Sequence, residues 1–248
     1  MTGPTPAPST GAPDRDQVPA DTGRRRGRLV VRDGAGTDLV DATTLLTAAF
    51  VRTSIATWAI PTTTHRARTA HAFTDALVAD AVHSGHLHVV TADTTIVAVA
   101  VWQPITGQHL GRAALPGYAA HLPAAVTGST HRARQLYQTL LRHHHLGEGH
   151  HYLAALAVHP HHRQLGVATL LLRHHHHTLD GAGIPAYAHA TPHLVRLLTR
   201  HGYRQQPAFR IDVSGPVMYP MRRPATLHPG TLSAASRAHA ALRPGART

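Results

Sequence analysis

Residues 152–172, YLAALAVHPHHRQLGVATLLL, constrain the fold of this chain more than any other stretch. Positions 152–158 are almost entirely apolar over the length of one strand, and Pro160, with no N–H to donate, ends the ladder. Arg163, Gly166 and Ala168 follow at the spacing RxxGxA, and Thr169 leads into a leucine run at 170–172. The order reads as buried strand, tight turn, glycine loop and helix start. Free N–H groups at a helix start point outward with partial positive charge, so they suit an anionic phosphate. Gly166 lets a phosphate approach without a Cβ in the way, and small Ala168 keeps the entrance open. The segment is therefore expected to build a pyrophosphate cradle.

Folding is expected to start near Arg28. RLVVR (28–32) reads as a first strand, and Thr37 or Asp38 can cap a helix to about Val51 with Leu39, Leu45, Leu46 and Phe50 inward. A second helix is expected from about His65 to His83. The apolar stretch SIATWAIP (54–61) connects them, and Trp58 in it is expected to pack in the core. HLHVVTADTTIVAVAVWQP (86–104) reads as a hairpin turning at Asp93 to Thr95. Residues 105–145 form an insertion whose stretch from Thr130 has helical spacing at Leu136, Tyr137, Leu140 and Leu141. After the glycine loop come a short strand in IPAYAHA (184–190), a helix in PHLVRLLTRH (192–201) and the pair Gly202-Tyr203. FRIDV (209–213) and PVMYPM (216–221) read as a closing antiparallel pair.

The chain has 248 residues, 42% of them hydrophobic, enough for one globular domain, expected at 28–223. Residues 1–27 lack apolar periodicity and are expected to be a disordered tail, and 224–248 a flexible one. Cysteine is absent, so no disulfide or thiolate metal site is available. No apolar run reaches the roughly 20 residues that span a bilayer, and 1–27 hold no signal-peptide core, so the expectation is a cytoplasmic protein without membrane contact. Part of the net charge of +12 lies at the ends, with four arginines against three aspartates at 1–27 and five arginines and no acid at 222–248. No nucleic-acid-binding motif accompanies it, so no specific nucleic-acid partner is expected.

Twenty-five histidines cluster at 143–145, 150–151, 159–162 and 174–177. Imidazole is a common metal ligand, yet four consecutive helical residues spread through about 300° and cannot all meet one ion. No HExxH is present, and carboxylates are scarce beside each cluster. With no lysine and a single glutamate, Glu148, the chain is expected to use histidine and arginine as ordinary surface polar residues and to hold no metal.

The succession of strand, proline, RxxGxA, helix, strand, helix and Gly-aromatic pair resembles the GCN5-related N-acetyltransferase (GNAT) superfamily, whose motif A has the form (Q/R)xxGx(G/A). The arrangement is similar to the actinobacterial branch that includes puromycin N-acetyltransferase. The resemblance implies an α/β (α+β) fold: a central mixed, mostly antiparallel sheet flanked by helices, with a splayed strand pair binding acyl-CoA. It implies acetyl-CoA as co-substrate, held by backbone groups of Leu156, Ala157 and Val158 and by the loop Arg163, Gln164, Leu165, Gly166, Val167, Ala168 and Thr169. The acceptor implied is a primary amine on a small molecule, such as an antibiotic or other secondary metabolite, and the protein a monomer or homodimer. Deprotonation of the amine falls to Glu148, His150 or His151, with Glu148 and His151 the assigned catalytic pair. The superfamily's usual acid, a tyrosine four residues before the Gly-aromatic pair, is replaced by Leu198, and a common asparagine by Leu194. Tyr187, Tyr203 and His201 are candidate substitutes. The same two leucines motivate an alternative, a catalytically silent acyl-CoA-binding or regulatory domain.

Overall fold

A computed structural model describes residues 28–105, 130–144 and 148–226. The tail expected at 1–27, most of the tail expected at 224–248 and the first part of the insertion lie outside the described residues. The elements are β1 (Leu29–Asp33), α1 (Leu39–Phe50), α2 (Ser54–Ala59), α3 (Thr63–Ser84), β2 (Leu87–Ala92), β3 (Thr95–Ile105), α4 (Thr130–Arg142), β4 (His150–Val158), α5 (Val167–Ala182), β5 (Ala186–Ala190), α6 (Pro192–Arg200), β6 (Arg204–Gln205), β7 (Phe209–Arg210) and β8 (Val217–Arg223). The stretch 54–61, expected only as an apolar connection, is largely the helix α2. Thr53 caps it, its hydroxyl accepting from the Ala56 N–H at 3.1 Å. Asp38 does precede α1, but its carboxylate takes the Ala35 N–H and the Arg32 guanidinium rather than the helix amides.

The strands form one sheet in the order β1-β2-β3-β4-β5-β8-β6, with β7 paired to β8. Every pairing is antiparallel except β4 with β5. Two cores sandwich it. Leu46, Phe73, Leu77, Leu136 and Leu140 from α1, α3 and α4 cover one face, against Val99, Val101, Tyr152 and Tyr187. Leu171, Leu172, Leu179 and Leu198 from α5 and α6 cover the other, against Val90, Trp102, Leu153 and Ala188. Trp58 packs in the first core and donates its indole N–H to Ser214 at 3.3 Å. No helix among the described residues is long and apolar enough to cross a membrane.

Two features of β4 place the functional site. Trp102 faces Leu153 while the preceding Val101 faces Ala155, so Ala154 is an extra residue, a bulge that bends the strand. The parallel ladder with β5 holds only His151 opposite Ala186 and Tyr152 opposite Tyr187. Beyond it β4 stays with β3 as far as Val158 opposite Ala98, while β5 stays with β8 as far as Ala190 opposite Tyr219. The sheet therefore parts along β4.

The histidines are not ordinary surface residues throughout. His88, His144, His150, His175 and His176 are buried. They are accommodated because imidazole has a flat apolar face and two hydrogen-bonding nitrogens. The His175 ring stacks on Trp102 at 4.1 Å between ring centres and 19° between planes, while its nitrogens meet His88 and His151. Burial of a polar ring is tolerated when both nitrogens are paired.

Candidate functional site

Where the strands part, a cavity of about 530 Å³ opens. Residues 153–158 of β4 and 188–191 at the end of β5 form its sides. Leu46, Phe50, Ile55, Phe73 and Leu77 close it from one face of the sheet, and Leu194, Leu197 and Leu198 from the other. Arg163 and Ala168 stand at its edge. The His159 N–H bonds the Val97 carbonyl across to β3, so by antiparallel alternation the polar backbone groups of Leu156 and Val158 turn toward the gap. Ala157 pairs with Val99 and lines the cavity as well.

The loop after β4 departs from ordinary backbone geometry in a way that exposes its amides. Pro160 opens a single 3-10 turn, Gln164 has φ +62° and Gly166 φ +79°, and the first bond of α5 runs from the Leu170 N–H to the Gly166 carbonyl at 3.2 Å. Among the described residues, no backbone N–H from 164 to 169 has a backbone acceptor. Gln164, Leu165 and Gly166 are exposed, whereas Val167 is buried and anchors the helix start to the second core. The left-handed conformation at Gly166 turns this row of donors outward, and only glycine adopts it without penalty. Arg163 adds a cation, its Nε held by the Val158 carbonyl at 3.2 Å. An array of unpaired amides at a helix start, with a guanidinium beside it, is suited to a diphosphate.

The polar side chains on the cavity wall are Arg52, Thr53, Thr74, Arg163, His189, Thr191 and His193. His189 lies on β5, two residues beyond Tyr187 and on the same face. Its Nδ1 lies 3.3 Å from the Tyr152 hydroxyl and its Nε2 3.3 Å from the His143 carbonyl, which also accepts the Tyr187 hydroxyl at 2.7 Å. The carbonyl requires an N–H at Nε2, so Nδ1 receives the Tyr152 proton. Burial pushes His189 down to about 3 and keeps it neutral. Sequence reasoning missed His189, although the alternation of Tyr187 and His189 in IPAYAHA places both on one face.

Glu148 and His151 do not line the cavity. Glu148 is exposed just before β4 and paired with Arg222. His151 bonds His175 at 3.0 Å, and burial, reinforced by His86, holds it down to about 4. Of the acid substitutes, Tyr187 is committed to His143, Tyr203 to His176 at 3.0 Å and His201 to Thr169 at 3.2 Å. Leu194 and Leu198 do line the cavity.

The sequence profile of the acetyltransferase (GNAT) family matches residues 52–203, from the helix α2 region through the Gly-aromatic pair. The chain belongs to this family. The GNAT fold is equally plain in solved structures. One is the histone acetyltransferase HPA2 and related acetyltransferase from Corynebacterium glutamicum, 19% identical over 81% of this chain and 98% of that one, with a TM-score of 0.58. Another is the Drosophila melanogaster polyamine N-acetyltransferase, which forms N-acetylagmatine, 16% identical over 79% and 100% with a TM-score of 0.59. A mosquito arylalkylamine N-acetyltransferase, like 5b, is 15% identical over 79% and 100% with a TM-score of 0.56. No curated protein matches the chain in sequence. The family uses acetyl-CoA, and the amide-lined loop and the parted strands of this GNAT domain fit that molecule's diphosphate and its extended arm.

Proposed function

We propose that this acetyltransferase moves the acetyl group of acetyl-CoA to the primary amine of a small, mostly apolar molecule. One observation carries the reading: β4 and β5 part beneath an array of free amides, and the cavity between them is walled by Phe50, Phe73, Leu46, Leu77 and Ile55, with no carboxylate among its described lining residues. An aryl or alkyl group would be sheltered there. A second cationic group, as in agmatine or a polyamine, would meet no counter-charge on that wall.

Acetyl-CoA supplies an activated thioester. In this reading residues 163–169 hold its diphosphate, and backbone groups of Leu156 and Val158 pair with its arm and polarise the carbonyl, which requires positioning rather than a particular side chain. The amine nitrogen forms the new C–N bond, the C–S bond breaks, and the thiolate leaves. No titrating acid is needed, because a thiol has a pKa near 8.5 on the cysteine scale and water can protonate it. The acceptor's proton is lost to water. Neutral His189, fixed by Tyr152 and His143, offers an orienting dipole instead of a base, and the proposed chemistry uses neither Glu148 nor His151.

Free thiol release with phenethylamine, puromycin, agmatine and spermidine tests the proposal. Puromycin is included because the loop and element order resemble that branch. Turnover is expected with the aryl amine and not with spermidine, and kcat/KM is expected to rise with pH toward the amine's own pKa, without a break near 6.5. Preference for spermidine would overturn the acceptor class. Leu194 and Leu198 on the cavity wall favour the silent acyl-CoA-binding domain as the second reading, and tight acetyl-CoA binding with no turnover of any amine selects it.

A further inference from the structure

We infer that Asp33, His88 and His174 form a binding site for a divalent transition-metal ion of the zinc type. The three come from β1, β2 and α5, and none lines the cleft. Asp33 sits opposite His88 in the β1–β2 ladder, and α5 brings His174 across them. Their ligand atoms lie within 4.8 Å of one another. His88 Nδ1 is 2.9 Å and His174 Nε2 3.0 Å from the same carboxylate oxygen, and the two imidazole planes stand at 79°. The in-plane nitrogens of both rings are thus directed at one point, the shared Asp33 oxygen. Two imidazoles and one carboxylate suit a borderline ion such as Zn²⁺, with water completing the shell. Bonds of about 2.0 to 2.2 Å in a tetrahedron hold neighbouring donors roughly 3.3 Å apart, so seating an ion requires each histidine to draw back from the carboxylate oxygen by a few tenths of an ångström.

The support behind His88 distinguishes this group from a surface ion pair. Its Nε2 bonds His175 Nδ1 at 2.7 Å, and His175 Nε2 bonds His151 Nδ1 at 3.0 Å, with Trp102 stacked on the middle ring. A ligating imidazole needs such a partner on its second nitrogen to fix its ring and tautomer. In the hydrogen-bonded form each ring donates toward Asp33: His88 to the carboxylate, His175 to His88, His151 to His175. When the ion takes His88 Nδ1, that proton leaves to solvent. His88 Nε2 takes the proton of His175 Nδ1, His175 Nε2 takes that of His151 Nδ1, and His151 gains one from solvent at Nε2. Every ring stays neutral and no proton is gained or lost overall. Asp33 and His174 are accessible enough to admit the ion, with 72% and 33% of their side-chain surface exposed.

The test is calorimetric titration of the untagged, EDTA-dialysed full chain with ZnCl₂, alongside thermal melting. One equivalent is expected to bind at least 10-fold tighter than the remaining surface histidines, and Zn²⁺ at about 100 times its Kd is expected to raise Tm by roughly 5 °C or more. Asp33→Asn and His174→Gln, each verified as folded in EDTA, should each lose that equivalent, while His177→Gln on the exposed side of α5 should keep it. Unchanged Zn²⁺ affinity in both Asp33→Asn and His174→Gln would overturn the site and assign the binding to the histidine-rich surface. Equal loss in His177→Gln would also overturn it. Loading with Co²⁺ adds a structural signature: a strong visible absorption of tetrahedral Co²⁺ in the wild type that is missing from Asp33→Asn.

Discussion

Tyr152 and Tyr187 are the last matched pair between β4 and β5, and their hydroxyls serve two ends of one arrangement. Tyr152 reaches His189 Nδ1 at 3.3 Å, while Tyr187 donates to the His143 carbonyl at 2.7 Å, the same carbonyl that receives His189 Nε2. The point where the sheet parts is thus pinned to the end of α4 on one side and to the cavity wall on the other. Tyr187→Phe removes one buried hydrogen bond worth about 1 kcal/mol. The expected fall in Tm is about 2 to 4 °C by calorimetry for a domain of this size.

Gly166 separates conformational from electrostatic effects at the loop. A Cβ there meets nothing within 4 Å, so Gly166→Ala suffers mainly the left-handed backbone, about 1 to 2 kcal/mol. Gly166→Asp adds a negative charge beside the free amides. Titration calorimetry is expected to show a modest loss of acetyl-CoA affinity for the alanine variant and no measurable binding for the aspartate variant. Equal affinities would remove the diphosphate from this loop.

Leu198 is fully buried in the second core and also borders the cavity. Leu198→Ala is expected to destabilise the protein by about 2 to 5 kcal/mol, measured by urea unfolding. Leu198→Tyr inserts a ring beside Leu194 and Leu197. Its expected result is lower stability, by about 1 to 3 kcal/mol, and a raised KM for acetyl-CoA.

His189 should make folding sensitive to acid. Its ordinary value is 6.5 and burial lowers it to about 3, so below 6.5 the unfolded chain takes up a proton that the folded chain refuses. Stability from this residue is therefore complete above 6.5 and declines as pH falls toward 3. His189→Gln has no proton to take up at this position. The difference in Tm between wild type and His189→Gln is expected to shrink or reverse between pH 7 and 4.5, and a constant difference would contradict an imidazole held neutral in the folded protein.

Asp180 also loses stability in acid, but for a different reason from the histidines: its partner stabilises the charged form. Arg223 Nη2 donates to its carboxylate at 2.8 Å, joining α5 to β8, and this bond holds Asp180 below its ordinary value. A depressed carboxylate contributes stability above the unfolded pKa and loses it as pH drops through the folded one. Comparing melts of wild type and Asp180→Asn, the gap should stay constant from pH 8 to 5 and close below about 4.

Local sequence determined most of the strands, though not the two-residue β6, together with the hairpin turn at Asp93, the proline stop and the start of α5, because alternation, glycine and proline act within a few residues. The loop at 163–169 was legible for the same reason: a glycine between a strand and a leucine run leaves helix-start amides unpaired wherever the chain folds. Leu198 could be read as an apolar stripe, but not as both core and cavity wall. Sheet order decided that, by laying α6 across the parted strands. Likewise Asp33, His88, His151 and His175 are scattered through the sequence, and their spacing argues only against neighbouring histidines sharing an ion. Ladder register and the crossing of α5 bring the four into one hydrogen-bonded string, and the same packing buries histidines that composition assigns to the surface. Local chemistry acts along the chain, whereas a site built from four elements exists only after non-local pairing has set their distances.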